Sequence, residues 1–468
     1  MKTWKLAFAI SLLAVLMQSS EAAAIGYGDR TPRPMGMAGA YGALARGVES
    51  LYWNPANLAL SGSPRVSVPL AFGLSFIGEN NSISVSDYNK YNGTFIDAGD
   101  KTDILDKIDQ GGMEFTEELG VVVPLLDGAS FPMPWGLRSA ASFSLQQGAQ
   151  GEIPKDMFDL LLNGNQFARD RIADGKDPEY DVAEWDGSVW ALGVLSWGFA
   201  KPWMPARLQP YFAEFSVGAT AKFMGGAYGE VLRTDGGVTT DVSGAQIDAY
   251  AITREGGGSG FGLDLGAAGV TRDRKTTVSV ALVNLLDHAS WGSKFGVDAR
   301  QDSFFVSGQD VNVLSFTGKE DVTEVFDNPR DEEGDVVFRE KIGSGSFSRS
   351  LPAMLRLGAA REVKPNLTVS GNYDQAFSSG FGISTVPRLA VGMEYRLVDW
   401  LPFRLGLAAG GRAGMSSAIG FAFGPFGKGG VRLCLLDTAV ANRGGFLPGV
   451  SKGVGFSINF LCLGITAD

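Results

Sequence analysis

A chain of 468 residues with 64 glycines, 30 phenylalanines and only 19% charged residues fits neither a disordered polypeptide nor an average soluble enzyme. Its formal net charge of -11 disfavours nucleic acid, whose phosphates need a basic footprint. Such usage suits many strands joined by tight turns, and length does not divide the chain, because large all-β barrels run long as a single unit.

The first segment carries Lys2 and Lys5, an apolar run from Leu6 to Met17, then Gln18-Ser19-Ser20-Glu21 and Ala22-Ala23-Ala24. That charged, apolar and small-residue order is that of a secretory signal cut after Ala24, and its removal leaves a net charge of -12. The apolar run is too short to span a bilayer as a helix, which needs about 20 residues. Next comes Arg33-Pro34-Met35-Gly36-Met37-Ala38-Gly39-Ala40-Tyr41-Gly42, running on to Trp53-Asn54-Pro55-Ala56-Asn57-Leu58. Gly36, Gly39 and Ala40 let backbone approach backbone closely, while Asn54 before Pro55 reads as a cap and first helical position. The mature chain therefore begins with a compact, small-sided head.

Beyond residue 62 the dominant pattern has period two. Val66, Val68, Leu70, Phe72, Leu74 and Phe76 alternate with Ser67, Pro69, Ala71, Gly73 and Ser75. The same division separates Ala141, Phe143 and Leu145 from Ser142, Ser144 and Gln146, and Val369 and Tyr373 from Ser370, Asn372 and Asp374. It is cleanest where Leu389, Val391, Met393, Tyr395 and Leu397 alternate with Arg388, Ala390, Gly392, Glu394 and Arg396. Arginine and glutamate suit a barrel lumen, with apolar residues meeting lipid over runs of about ten residues. Further runs near 114–124, 187–199, 210–224, 259–271, 276–286, 353–363, 402–411, 416–423, 429–439 and 453–464 bring the total to about 14 strands. The fold class expected is all-β: a transmembrane antiparallel β-barrel of about 14 strands with an N-terminal plug.

Between strands, 100–108 and 154–162 read as short amphipathic helices in long connections. Trp185, Trp190, Trp197 and Trp203 suit either interfacial aromatic belts or buried core. Gly256 to Gly260 reads as a glycine-rich turn, lacking the Lys-Ser/Thr ending of a phosphate loop. His288, the one histidine, reads as a turn residue without the partners of a catalytic triad. Asp327, Asp331, Glu332, Glu333 and Asp335 read as a solvated acidic loop, with calcium on these oxygen ligands as the alternative, although their spacing does not match an EF-hand. Cys434 and Cys462 lie in separate strand-like runs, as a disulfide or as small buried hydrophobes, with no zinc-type partner near either. No metal site, cofactor motif or catalytic constellation emerges, and an enzyme is not expected.

With these residues in place the chain resembles the FadL-type superfamily of long-chain fatty-acid and hydrocarbon transporters of the bacterial outer membrane, including its PorV-like branch. The resemblance is carried by Met35-Gly36-Met37-Ala38-Gly39-Ala40, Asn54-Pro55-Ala56, Gly262-Leu263-Asp264-Leu265-Gly266, Val283-Asn284-Leu285 with Trp291, Leu355-Arg356-Leu357-Gly358-Ala359-Ala360, Gly392-Met393-Glu394-Tyr395 and Phe403-Arg404-Leu405-Gly406. It implies an N-terminus folded inside the barrel, hydrophobic ligands captured outside, and exit sideways through a strand kink near the plug. Two features depart from the pattern: a C-terminus that does not end on an aromatic residue, and the acidic insertion 301–347.

The expected organisation is a signal peptide over 1–24, a plug over 25–62 and an outer-membrane barrel over 63–468, with extracellular loops at about 78–112, 150–184 and 301–347. The function expected is passive transport of hydrophobic small molecules such as long-chain fatty acids, with Gly36, Gly39, Ala40, Asn54, Pro55 and Ala56 as plug and gate. The alternative is a barrel serving protein secretion or surface assembly, its loops holding a protein partner. The partners expected are thus the outer-membrane bilayer, a hydrophobic small molecule and possible protein at the loops, but not nucleic acid; individual ligand contacts are not assigned. Intact mass of the protein from the cell envelope is expected to begin at Ile25, and a retained Met1 would refute cleavage.

Overall fold

The computed structural model describes residues 30–122, 128–163, 171–173, 175, 179–181, 186–240, 245–311, 339–427 and 430–465. The signal-like segment and the acidic cluster around Asp331 lie outside them. Fourteen antiparallel staves among the described residues close into a barrel. In chain order they are β1 (Val66–Pro69, resuming at Gly73–Asn80), β2 (Met113–Val122, with Ala129–Pro132), β3 (Arg138–Ile153), β4 (Gly187–Pro202), β5 (Phe212–Thr240), β6 (Ala245–Thr271) and β7 (Thr276–Val283, resuming at His288–Gly292). There follow β8 (Met354–Lys364), β9 (Leu367–Ala376), β10 (Arg388–Val398), β11 (Leu401–Gly410), β12 (Met415–Phe423), β13 (Val431–Arg443) and β14 (Gly453–Ile465). Closure is made by β1 on β14, Gly73 opposite Asn459 through Glu79 opposite Gly453, which removes the edge that lipid could not satisfy. No helix among the described residues is long and apolar enough to cross a membrane.

The alternation read from the sequence sorts the side chains as a membrane barrel requires. Phe72 is 65% exposed and Leu389 57%, whereas Ser75, Ser142, Ser144, Asn372, Asp374, Arg388 and Glu394 are buried towards the lumen. The outward face is a band of Leu, Val, Phe and Ile, the surface that hydrocarbon accepts. At the end where connections are short, Trp203 and Tyr211 stand exposed and Trp400 stacks on Phe426 with ring centres 5.8 Å apart, the amphipathic rings suited to a membrane interface. Trp197 also faces outward, but Trp190 points into the lumen.

Four local expectations change. The glycine run 256–260 lies inside β6 rather than in a turn, because the 293–297 connection crosses directly over it: a methyl group added at Gly257 would collide with the Lys294 carbonyl, and one at Gly258 would lie 2.6 Å from the Trp291 ring. His288 starts the second half of β7 and is exposed beside Phe261, so it is a strand residue. The insertion opens as a strand, Arg300–Val311, paired along β6, and returns at Arg339–Gly343. Finally, β1 is not one continuous run: residues 70–72 leave the ladder, bridged by Leu70 N–H to Leu461 O at 2.7 Å. Short helices occupy the long connections at Val85–Tyr91, Ala98–Leu105 and Lys155–Asn163, the first of which the sequence pattern missed.

Residues 30–60 fill the lumen as a chain of one-turn pieces, Pro32–Gly36, Gly47–Glu49, Ser50–Trp53 and Pro55–Ala59. The wall meets this plug at positions without side chains. Methyl groups added at Gly358, Gly392 and Gly218 would come within 2.8, 2.8 and 2.6 Å of plug backbone atoms of Ala43, Met37 and Pro55. At Gly406 the added carbon would overlap the Met37–Ala38 peptide itself. Gly406→Val is therefore expected to weaken plug docking by about 1–3 kcal/mol, the usual cost of overpacking. Faster hydrogen exchange over residues 31–53 with an intact heat-modifiable barrel would be the sign, and unchanged exchange would contradict it.

Candidate functional site

Two layers occupy the lumen, and a defect in the wall lies beside both. The lower layer is the plug. Small residues allow its backbone to lie against the wall, and backbone groups thereby removed from water find partners on the wall or within the plug. Gly42 N–H donates to Asn372 Oδ1 at 3.2 Å, and Asn57 Nδ2 donates to Gly42 O at 2.8 Å. Arg388 donates to Ala38 O at 2.9 Å, Arg356 to Tyr52 O at 2.9 Å, and Ser216 to Ala56 O at 2.7 Å. The Arg356 guanidinium also lies 4.2 Å from the centre of the Trp53 ring while pairing with Asp374 at 2.7 Å.

One ionic cluster ties plug to wall. Glu394 on β10 receives Arg33 of the plug at 2.9 Å and Arg404 of β11 at 3.0 Å, and Arg404 also reaches Asp437 of β13 at 2.5 Å. Arg33 leans towards Tyr41, whose hydroxyl donates to Glu49. The charges are shared among several partners rather than isolated, which is what lets them stay ionised away from water.

The residues singled out from the sequence occupy distinct places. Gly36 packs against Gly420 of β12, its added carbon 3.1 Å from that Cα. Gly39 has φ +83°, a backbone shape that favours glycine, and lies under the Arg388 guanidinium. Ala40 is fully buried near Gly392. Asn54 does three things: its Oδ1 accepts Ala56 N–H at 3.0 Å, capping the turn Pro55–Ala59, and its Nδ2 donates to Ala267 O at 3.1 Å and Val280 O at 2.9 Å. These two carbonyls belong to paired residues of β6 and β7, and Gly266 leaves the space that the Asn54 side chain occupies. Pro55 and Ala56 lie over Gly218 of β5.

Three residues beyond Val280 the wall breaks. The ladder of β7 with β8 ends at Val283 opposite Met354, and β7 pairs again from Ala289 and Ser290 with Arg349 and Ser348 of the segment that precedes β8. Pro352 contributes no N–H there, and Asn284 takes φ +54°. Side chains span the gap: Asn284 Nδ2 donates to Pro352 O at 3.0 Å, and Leu351 N–H donates to Asp287 Oδ1 at 2.7 Å. Lys222 holds Asp264 at 2.7 Å and Asn284 Oδ1 at 2.9 Å, and Asp264 accepts Asn284 N–H at 2.8 Å. On the outer surface of the break Leu285 and Leu286 are exposed.

Inside, above the plug, lies the second layer: Trp190, Leu192, Val194, Met224, Tyr228, Ala289, Trp291, Leu351 and Phe381 pack together, with Phe347 at their edge. Tyr228 is 5.1 Å from Phe381 and 5.3 Å from Trp291, centre to centre. Phe381 arrives from the connection 377–387, whose Gly382 N–H is held by Gln150 at 2.8 Å. Leu351 belongs to the broken edge itself, so the apolar layer and the defect are continuous. An open recess of about 500 Å³ elsewhere is lined by Glu255, Gly296, Val297, Asp298 and Arg300, a charged lining unsuited to an apolar guest. Among the described residues no group of three potential metal ligands converges.

Glu394, Arg404, Asp437 and Asn284 were not singled out as site residues. Glu394 was legible as lumen-facing from its alternation, but nothing in the sequence pairs it with Arg33, 361 residues away. Glu394→Gln retains the shape while leaving Arg33 without its counter-charge. A loss of about 3–5 kcal/mol in the hold on the plug is expected, the usual cost of breaking a buried pair. Hydrogen exchange over residues 31–53 would report it, and wild-type protection in the variant would exclude the pair as the plug's anchor.

Comparison with known proteins gives one family match, over residues 55–428, to a family of unknown function (DUF5723). A search of curated proteins finds no match. Among solved structures, the toluene transporter TbuX of Ralstonia pickettii is similar at 14% identity and a TM-score of 0.47, covering 94% of this chain and 98% of that one. A FadL homologue of Pseudomonas aeruginosa is 12% identical with a TM-score of 0.47, covering 96% and 100%. The toluene transporter TodX of Pseudomonas putida is 11% identical with a TM-score of 0.47, covering 95% and 99%.

Proposed function

The chain belongs to the DUF5723 family, whose function is unknown, and we propose from its own barrel that it is an outer-membrane passive transporter of hydrophobic small molecules such as long-chain fatty acids. The single observation that carries this reading is the break in the β7–β8 ladder. It has an aromatic layer on its inner side, exposed Leu285 and Leu286 on its outer side, and the plug's Asn54 bonded to Val280 just below it.

In this reading an apolar molecule enters from the end with long loops, the side that faces out in outer-membrane barrels. It displaces part of the layer around Tyr228 and Phe381, gaining about 25 cal/mol for each Å² of apolar surface removed from water. Movement of Asn54, Pro55 and Ala56 shifts the Val280 carbonyl and with it the strand end at Val283. The side-chain bridges of Asn284 and Asp287 then part more readily than a backbone ladder would, and the molecule leaves sideways into lipid. Gly36, Gly39 and Ala40 permit the plug to shift because they carry no long side chain to interlock with the wall. No covalent chemistry is required.

A second reading, a partner-holding barrel in secretion or surface assembly, draws support from Phe95 and Phe295, 85% and 68% exposed on the connections at the long-loop end. Uptake separates the two. Cells carrying the protein should take up labelled fatty acids or toluene several-fold faster than cells lacking it, and Asn54→Ala should change that rate while leaving a heat-modifiable barrel. Equal uptake across the panel would defeat the transport reading, and loss of the barrel in Asn54→Ala would make the head a structural core instead of a gate.

A further inference from the structure

Resting on the outer-membrane location given above, we propose that Cys434 and Cys462 are joined by a disulfide in the exported protein, a covalent staple between the last two strands. The two residues stand directly opposite each other in the β13–β14 register. Directly opposed residues of an antiparallel pair point to the same face, with Cα atoms about 4.5 or 5.5 Å apart depending on the pair type. Both separations fall within the roughly 4.4–6.8 Å that a disulfide bridges. Cys434 is half-buried and Cys462 exposed, so a reagent reaches the pair. They are the only cysteines in the chain, which leaves one connectivity.

The position explains what a link would do. On its other side Cys462 faces Pro69 of β1, which has no N–H to give to the ladder. Just beyond it β1 is interrupted, and only Leu70 N–H to Leu461 O and Phe460 N–H to Phe72 O, at 2.7 and 3.2 Å, cross the closing seam. Leu461 itself takes φ +45° and drops out of the β13–β14 register, which passes from Leu436 opposite Phe460 to Cys434 opposite Cys462. The final strand is thus weakly held on both sides at one level, and the cysteines sit one step past that level. In the oxidation each thiol gives up its hydrogen and the S–S bond forms, while the two electrons and two protons pass to a disulfide-bearing oxidant of the envelope, whose S–S bond breaks to give its dithiol.

The test has two arms. In the first, cells are acid-quenched and the outer-membrane fraction is treated with a maleimide before or after reduction, then digested and weighed. The expected result is no label before reduction, two labels after it, and a linked peptide pair carrying Cys434 and Cys462. In the second, the purified barrel in detergent is incubated with oxidised glutathione and then reduced or not. Reductant should lower by several degrees the temperature at which the folded band is lost in the wild type, and should not move it in a variant carrying Cys434→Ser and Cys462→Ser. Two labels without reduction on protein that sediments with outer membranes would overturn the proposal. Protein absent from that fraction would fail the location reading instead. The detergent arm then decides the pairing alone, two labels after oxidation overturning it.

Discussion

The plug lies against its wall at distances that no side chain would permit, and the rest of the molecule follows from that contact. A lumen narrow enough to hold a one-turn helix and its connections leaves no room for a Cβ at Gly218, Gly266, Gly358, Gly392 or Gly406. Close approach strips water from the plug's amides and carbonyls, and those that do not pair within the plug need a partner on the wall. Arg356, Arg388, Asn372 and Ser216 fill that need, so polar side chains stand at the inward positions next to the glycines. Arginines in turn require carboxylates, which places Asp374, Glu394 and Asp437 beside them. Glycine content and inward charge are two consequences of one geometric fit.

The same fit concentrates compliance in one place. Most of the barrel is bound by backbone ladders, and on β10, β11 and β13 these are backed by the charged cluster that grips Arg33. Across the lumen, the plug's Asn54 hydrogen-bonds β6 and β7 beside the apolar packing of Ala56 and Leu60 on Ala268 and Val270, and just above it the β7–β8 ladder gives way to side-chain bridges. The wall defect lies beside Asn54, away from the charged cluster.

Much of this was legible in the sequence because a membrane barrel writes its pattern twice, apolar outward and polar inward. Leu389 to Leu397 against Arg388 to Arg396 left little ambiguity, and the strand total agrees with the closed barrel. Legibility failed where the lipid constraint lapses. Beyond the bilayer no lipid imposes an apolar outer face on β5 and β6, and the glycines at 256–260 mimic a turn. The break at Asn284 to Asp287 hides in an apolar-looking run, since an interruption of pairing depends on the partner strand, where Pro352 lies 68 residues later. Phe381 and Trp190 meet only through the fold, and their separate surroundings gave no sign of a shared layer.

The unusual length of β5 and β6 has a mechanical meaning. At about 3.3 Å per residue and a tilt near 40°, the 29 residues of β5 reach roughly 70 Å along the barrel axis, against an apolar band of about 25 Å. More than half of the strand therefore stands clear of the bilayer. These two strands are also the ones that carry Gly218 and Gly266, the seats of Pro55 and Asn54. Their mutual ladder runs from Phe212 opposite Thr271 to Thr240 opposite Ala245, with bulges near Phe212 and Val231 and no intervening loop. The pair is a lever with its long arm outside the membrane and its short arm under the plug, so a load on the outer arm is delivered to Asn54 through backbone alone.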